Sequence, residues 1–340
     1  MIRLLSVLLG LLALAATSAC EEDSEVHAPD AETDGEAPLD ADLDAAGEAD
    51  AGDGPADAGE PSFPVTPSVL VSGAFQRCEG IAFNGEGELY VAGDRHLWRV
   101  STEGEVFDVA GMYSNLGLAP IGERDLLAAD FGPLNAFDNG PNNDGIVWRT
   151  TPEGEQTALS KGIGDPNFVA VREDGVFLVS DDAVDEIWLV DAGGATQLFT
   201  QAIDHPNGLA FSADGSTLYV AQIFTSLSPL TWDRRIWRLP LADGQPAGEP
   251  EVLAEAGVGP DGLALDELGR VYAAANFSGE ITRIDPQTGA SVVVAEGLPG
   301  VASLAFGRGD FDHHAIYATS TQTGEVSVVP VGVAGMPLHR

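Results

Sequence analysis

The chain has 340 residues, of which 44% are hydrophobic, so it can bury a large core and is not disordered throughout. It contains only two cysteines, which excludes a fold held together by several disulfide bonds. The 54 acidic residues against 15 Lys and Arg give a formal charge of −39, which repels a phosphate backbone, so nucleic acid is not an expected partner.

The N-terminus carries a predicted export signal. An apolar run over residues 4–16 follows Arg3, and small residues then lead to Cys20. This pattern resembles the signal of bacterial lipoproteins, in which the Cys becomes the lipidated N-terminus. Ordinary secretion is the alternative, whereas a transmembrane anchor is disfavoured because the run is too short to cross about 30 Å of hydrocarbon. We expect a signal peptide over residues 1–20 and an exported protein, lipid-anchored to the bacterial cell envelope at the outer membrane or cell surface.

The next segment, residues 21–62, is predicted to be a disordered acidic linker. It carries 16 acidic residues and no Lys or Arg, and it is rich in Ala, Gly and Pro. Such a segment repels itself and has too few large apolar side chains to offset the loss of chain entropy on folding.

From residue 63 onward one short phrase recurs, with Asn-Gly-Leu-Ala-Phe at residues 207–211 as its clearest copy. The copies begin at Glu79, Leu116, Asn167, Asn207, Asp261 and Ala302. Intervals of 37 to 54 residues match the length of a four-stranded propeller blade. The sequence therefore predicts an all-β fold, a six-bladed β-propeller over residues 63–340. A seven-bladed ring and a β-sandwich with chance repetition are the alternatives.

Each copy contains signals for four short antiparallel strands separated by Gly-containing turns. Apolar residues around 64–75 are expected to add the strand that closes the ring with the last blade. Two blades are longer, and their insertions at residues 130–144 and 222–233 fall between the second and third strands. These insertions are expected to form walls beside the start of the first strands, where specificity often resides, with surface decoration as the alternative. Cys78 is expected to be a small buried hydrophobe.

Equivalent positions on the innermost strands of a propeller converge on one axis, so the first residues of the six phrases should form a ring. Four of them bear side-chain oxygen: Glu79, Asn167, Asn207 and Asp261. Carboxylate and amide oxygens suit Ca²⁺ better than Zn²⁺, although another divalent cation would also fit. Asn-Gly and Asp-Gly are also common turn dipeptides, which is the structural alternative. Their coincidence at one repeat position favours a metal site.

The strings Glu79-Gly80-Ile81-Ala82-Phe83, residues 206–215 and residues 260–266 resemble the senescence marker protein (regucalcin) and gluconolactonase family. The resemblance covers about residues 70–320. It implies a six-bladed propeller with a catalytic divalent ion, usually Ca²⁺, held by Glu79, Asn207 and Asp261, with Asn167 beside or on the metal.

The resemblance has departures that bear on the substrate. Sugar-lactone members tend to have an Arg where this chain has Asp165, so a hydroxylated sugar lactone is disfavoured. A His pair like that of paraoxonases is not evident. His205 is the one His expected to approach the mouth, with capping of backbone groups as the favoured alternative. Phe224 and Trp232 of the second insertion are expected, with Asp165 and His205, to contact substrate.

The leading functional hypothesis is a Ca²⁺-dependent hydrolase of a lactone or related ester, with Asp261 as both metal ligand and base or nucleophile. The rival is a cell-surface binding or scaffold propeller that keeps the ion for structural reasons. The expected partner is a small-molecule ester or lactone. The chain is expected to be a monomer that meets the membrane only through its lipid anchor.

Overall fold

A computed structural model describes residues 61–134, 140, 142–172 and 174–338. Over these residues the chain is all-β, with 27 strands and no helix, and the strands form a six-bladed propeller. The predicted fold class is therefore confirmed. The predicted signal peptide, Cys20 and nearly all of the acidic linker lie outside the described residues. In the part of the chain that is described, no helix is long and apolar enough to cross a membrane.

The first three blades are regular four-stranded antiparallel sheets whose strands pair in chain order. Blade 1 consists of β2 (Cys78–Phe83), β3 (Leu89–Gly93), β4 (His96–Val100) and β5 (Val106–Gly111). Blade 2 consists of β6 (Leu118–Ile121), β7 (Asp125–Asp130), β8 (Gly145–Thr150) and β9 (Gln156–Ile163). Blade 3 consists of β10 (Pro166–Val171), β11 (Phe177–Asp181), β12 (Glu186–Val190) and β13 (Thr196–Thr200).

The last three blades follow the same plan with two additions. Blade 4 consists of β14 (Pro206–Phe211), β15 (Thr217–Gln222), β18 (Arg235–Ala242) and β20 (Glu251–Glu255), with the short β19 (Gln245–Pro246) beside β18. Its insertion forms a separate hairpin of β16 (Phe224–Leu227) and β17 (Leu230–Trp232). Blade 5 consists of β21 (Pro260–Leu265), β22 (Val271–Ala275), β23 (Glu280–Ile284) and β24 (Ser291–Glu296).

Blade 6 joins the two ends of the propeller. It consists of β25 (Val301–Phe306), β26 (Ala315–Ser320) and β27 (Val326–Pro330), and its fourth strand is β1 (Ser68–Val71) from the start of the domain. Ser68 pairs with Val328 in an antiparallel register. The predicted closing strand is thus confirmed. It pairs the outer edge of β27 and ties the first blade to the last.

The core consists of six apolar clusters, and each fills the space between two adjacent blades. Between blades 5 and 6, for example, buried Tyr272 lies edge-to-face against Phe306 with ring centroids 5.3 Å apart. Alternate side chains of each strand point to the two neighbouring blades, so the repeated Leu-Ala-Phe pattern supplies both interfaces of each sheet.

Candidate functional site

The six inner strands start at the same end of the propeller, which we call the mouth. Three of the predicted ring residues, Asn167, Asn207 and Asp261, are buried there on β10, β14 and β21, and Glu79 on β2 is partly buried. The equivalent positions in blades 2 and 6 are the buried apolar residues Leu116 and Ala302.

Close contact between neighbouring blades explains why Gly follows several ring residues. A Cβ on Gly208 would lie 2.1 Å from the backbone oxygen of Asp261 in the next blade, and one on Gly80 would lie 2.0 Å from that of Leu116. Any larger side chain would therefore push adjacent ring positions apart. These Gly residues lie inside strands, so the interpretation of the dipeptides as tight turns is wrong.

Where the phrase lacks this Gly, a hydroxyl from the second strand binds the next ring residue instead. Ser180 on β11 donates its Oγ hydrogen to the backbone oxygen of Asn207 at 2.7 Å. Thr319 on β26 makes the equivalent hydrogen bond to the backbone oxygen of Glu79. The backbone of each of these ring residues is thus held by its neighbouring blade.

Sequence reasoning missed Asp182, which follows β11 in blade 3 and is buried beside the ring. Its Oδ2 accepts hydrogen bonds from the side-chain amides of Asn167 at 3.1 Å and Asn207 at 3.4 Å. Asp182 therefore orients two ring residues at once. The Ser-Asp-Asp run at residues 180–182 was the available signal, but it lies outside the repeated phrase.

A second unpredicted residue, Asn276, follows β22 and donates its Nδ2 hydrogen to Oδ2 of Asp261 at 3.0 Å. Its amide also lies 3.3 Å from Oγ1 of Thr321 in blade 6. Asn276 thus fixes the orientation of the Asp261 carboxyl. Like Asp182, it comes from the turn after a second strand, a position outside the repeated phrase.

Burial dominates the electrostatics of the carboxyl groups at the mouth. The pKa of Glu79 lies well above its usual range because the group is desolvated and faces the charges of Asp261 and Asp182. The pKa of Asp182 is also raised, mainly by burial and further by the charges of Asp181 and Asp261. Desolvation raises the pKa of Asp261 as well, although the hydrogen bond from Asn276 lowers it in part. Among the described residues, no Lys, Arg or His contributes to these shifts, so the ring carries acidic groups whose charges are not offset there.

Two buried oxygen atoms beside the ring, Oδ1 of Asn207 and Oδ1 of Asp182, have no hydrogen-bond partner. Leaving a buried acceptor unpaired costs about 1–3 kcal/mol, and more for a charged group. A hard divalent cation bound to Oδ1 of Asn207 would satisfy that atom and offset the charge of the acidic groups, and oxygen is the donor it prefers. Among the described residues, no group of three or more His, Cys, Asp or Glu could hold a metal ion. The donor set that fits instead combines the carboxylates Glu79 and Asp261 with the amide of Asn207.

Asp165 lies outside this donor set. It is fully buried, its backbone N–H donates to Asp181 at 3.0 Å, and its Oδ1 accepts from Asn142 of the first insertion at 3.2 Å. The first insertion therefore reaches the mouth face, as predicted, at Asn142. Residues 135–139 and 141 of that predicted insertion lie outside the described residues.

His205 directly precedes β14 and has a positive φ of 43°. Its Nδ1 lies 3.0 Å from the backbone oxygen of Asp182, and because a carbonyl only accepts, this nitrogen carries the proton. The contact agrees with the backbone-capping alternative. The ring of His205 also packs against Phe224, with centroids 6.2 Å apart, and Phe224 packs against Trp232 at 4.9 Å.

Cys78 is fully buried at the start of β2, as predicted. Its sulfur lies 3.6 Å from the backbone oxygen of Ser320 and 3.4 Å from that of Glu325. Burial raises the pKa of the thiol to about 12, so the group stays protonated and is not a nucleophile at neutral pH.

Comparison with known proteins agrees with this architecture. Residues 167–322, which span blades 3 to 6, match the family model of the SMP-30/gluconolactonase/LRE-like region. The match covers less than half of the chain, and it confirms the predicted resemblance over those residues. A search of the curated proteins gives no significant match.

Solved structures show the same fold at low sequence identity. The calcium-binding protein regucalcin from Agrobacterium tumefaciens is 20% identical, with a TM-score of 0.64 over 81% of this chain and 98% of that one. A gluconolactonase from Xanthomonas campestris is 18% identical, with a TM-score of 0.62 over 77% of this chain and 88% of that one. The PQQ-bound aldose sugar dehydrogenase from Streptomyces coelicolor is 15% identical, with a TM-score of 0.60 over 77% of this chain and 95% of that one. At these identities the likeness establishes the propeller and nothing more.

Proposed function

We propose that the protein is a divalent-cation-dependent hydrolase, with Ca²⁺ as the expected ion, that acts on a lactone or related ester at the mouth. The observation that carries the proposal is the unpaired Oδ1 of Asn207, buried among carboxyl groups of raised pKa. The SMP-30/gluconolactonase type of blades 3 to 6 and the gluconolactonase and regucalcin among the similar structures support it.

Glu79, Asn207 and Asp261 would hold the ion, with Asn167 beside it. A bound Ca²⁺ would polarise the substrate carbonyl and stabilise negative charge on its oxygen. Asp261 would accept the proton of the attacking water through its carboxylate. Asn276 orients that carboxyl through Oδ2.

The test is hydrolysis of lactones, aryl esters and phosphotriesters by the wild type, with and without a chelator, and by Asp261→Asn at matched Ca²⁺ occupancy. The substitution keeps the shape and one oxygen donor but removes the charge and the basicity. We expect turnover to fall by at least about 100-fold, the low end for removing a general base.

A chelator should abolish wild-type activity, and added Ca²⁺ should restore it. Equal rates for wild type and Asp261→Asn would remove Asp261 from the mechanism. An absence of hydrolysis across the panel, with Ca²⁺ still bound, would instead establish the non-catalytic binding propeller.

We further propose that the protein is exported and lipid-anchored through Cys20, which lies outside the described residues. The apolar run over residues 4–16 and the small residues before Cys20 support this. Cys20→Ser should abolish partition into the membrane fraction while the purified protein keeps its β-sheet circular dichroism. Soluble wild-type material with unmodified Cys20, detected by mass spectrometry, would contradict the anchor.

A further inference from the structure

One side of the mouth is bordered by a continuous row of aromatic rings, which we call the aromatic wall: His205, Phe224, Trp232 and Phe277. Phe224 and Trp232 belong to the inserted hairpin of blade 4, and Phe277 follows the second strand of blade 5. Trp232 and Phe277 lie with their centroids 5.3 Å apart at an interplanar angle of 31°. Sequence analysis identified three of these residues but not Phe277.

The wall joins the two blades whose ring residues are Asn207 and Asp261. At one end, His205 lies two residues before Asn207 and binds the backbone of Asp182. At the other end, Phe277 directly follows Asn276, whose amide binds Asp261. A ligand with its carbonyl at these two ring residues would therefore have the wall beside it.

The hairpin is tied to blade 5, so the wall has a fixed position. The backbone N–H of Gly259 donates to the backbone oxygen of Asp233 at 2.9 Å, directly after Trp232. A Cβ at Gly259 would lie 2.8 Å from the Trp232 ring, so the Gly permits this close approach. The buried carboxylate of Asp233 also pairs with Arg235. A fixed surface of this kind binds a flat ligand with little loss of its own conformational freedom.

The wall is partly open to solvent. Phe224 is buried and supports the others, whereas Phe277 is 53% exposed, and Leu230 at the tip of the hairpin is exposed as well. An aromatic face offers contact area and favours offset or tilted packing against another ring. The Phe224 and Phe277 rings offer no hydrogen-bond partners for the hydroxyl groups of a sugar, whose desolvation without hydrogen bonds is costly. The carboxyl groups next to the wall would also repel an anionic ligand.

We propose that the aromatic wall binds the uncharged aromatic substituent of an aryl lactone or aryl ester, so that substrates of this class are preferred to polyhydroxylated sugar lactones. This inference rests on the proposed hydrolase function, which supplies the carbonyl position. The substituent packs against Trp232 and Phe277, and the carbonyl points toward Asp261 and Asn207. The wall acts as a binding surface and takes no part in proton transfer.

The test measures kcat and KM for dihydrocoumarin, an aryl lactone, and for δ-valerolactone, which lacks the aromatic ring. Trp232→Ala and Phe277→Ala should raise the KM for dihydrocoumarin about tenfold with little change in kcat, because such contacts bind ground and transition states alike. The KM for δ-valerolactone should change less than about twofold. Phe107→Ala is the matched control, since Phe107 is an aromatic residue, 42% exposed, on the outer strand of blade 1.

A second measurement separates binding from catalysis. The lactam of the same shape as dihydrocoumarin resists hydrolysis, and its affinity is measured by isothermal titration calorimetry. Lactam binding that weakens about tenfold in Trp232→Ala and Phe277→Ala, but not in Phe107→Ala, supports the wall as a binding surface. If the same protein hydrolyses no substrate, only the hydrolase proposal fails. The proposal for the wall would be overturned if the wild type hydrolyses dihydrocoumarin and the wall variants change both its KM and the lactam affinity by less than about twofold. A preference for gluconolactone over dihydrocoumarin, or no lactam binding by the wild type, would overturn it too.

Discussion

The two ends of the inner strands differ sharply although they belong to the same six segments. At the mouth the strands present Glu79, Asn167, Asn207 and Asp261, with two buried oxygen atoms unpaired nearby. At the opposite end the strands finish in large apolar residues, among them Phe83, Phe211, Leu265 and Phe306. There they line a cavity of about 180 Å³ that the C-terminal residues Met336, Pro337 and Leu338 also border.

The opposite end is stabilised by the chain itself. The N–H of Met336 donates to the backbone oxygen of Leu265 at 2.9 Å, and that of Glu267 donates to the backbone oxygen of Ala334 at 2.9 Å. The mouth, by contrast, keeps buried acidic groups and unpaired oxygen atoms, which cost folding free energy. Buried acidic groups of this kind are common where a protein binds a ligand, so the difference agrees with the binding role that we propose for the mouth.

The largest expected effect tests the apolar end. Phe306 is buried against Tyr272, and the backbone of Gly335 lies on its side chain. Phe306→Ala should lower the free energy of unfolding by about 3–5 kcal/mol, measured by denaturant titration, while Ca²⁺ affinity stays unchanged. Leu268→Ala, at an exposed site, should change stability by less than about 0.5 kcal/mol. A loss of Ca²⁺ affinity in Phe306→Ala would show that the two ends are not independent.

A smaller effect is expected from Asp182, which orients ring residues without belonging to the ring. Asp182→Asn removes the carboxylate that accepts from the amides of both Asn167 and Asn207. We expect Ca²⁺ affinity to fall about 10- to 100-fold, the usual cost of losing an outer-shell partner, as measured by calorimetric titration. The control is Asp108→Asn, an exposed carboxylate on the outer strand of blade 1. Equal affinities for the two variants would contradict the role assigned to Asp182.

The metal-free protein is also expected to change its stability with pH. Burial raises the pKa of Asp181 to about 7, and those of Glu79, Asp182 and Asp261 are also raised. The folded state therefore binds more protons than the unfolded state between about pH 4 and pH 7, so stability falls as pH rises through that window. In EDTA the unfolding midpoint should be higher at about pH 5.5 than at about pH 8. An unfolding midpoint that rises with pH in EDTA would contradict the raised pKa values of these carboxyl groups.

The fold could be predicted because the propeller repeats one local unit. Copies of the phrase whose clearest example lies at residues 207–211 mark the inner strand of each blade. The number of copies therefore gives the number of blades. The ring of polar residues could be predicted for the same reason, since Asn207 and Asp261 occupy the first position of their copies of the phrase. The inserted hairpin between β15 and β18 was located from its length, although its strands were not foreseen.

The residues that sequence reasoning missed share a physical cause. Asp182, Asn276 and Phe277 lie in turns after second strands, where the chain has no repeated phrase. They reach the ring or the aromatic wall through contacts between distant segments, such as the hydrogen bond from Asn276 to Asp261. Such contacts depend on how adjacent blades pack, which periodicity alone does not specify. A comparison of all six turns after the second strands would have been the available signal.

The most direct test of the account is the thermal unfolding midpoint of the purified protein in millimolar Ca²⁺ and in excess EDTA. If the mouth binds the ion, Ca²⁺ at about 100 times its dissociation constant should stabilise the folded state by about 2.7 kcal/mol. That corresponds to a rise of several degrees in the midpoint, and Asp261→Asn should show a smaller rise. An unchanged midpoint in the wild type would contradict the metal site and, with it, the function proposed for the mouth.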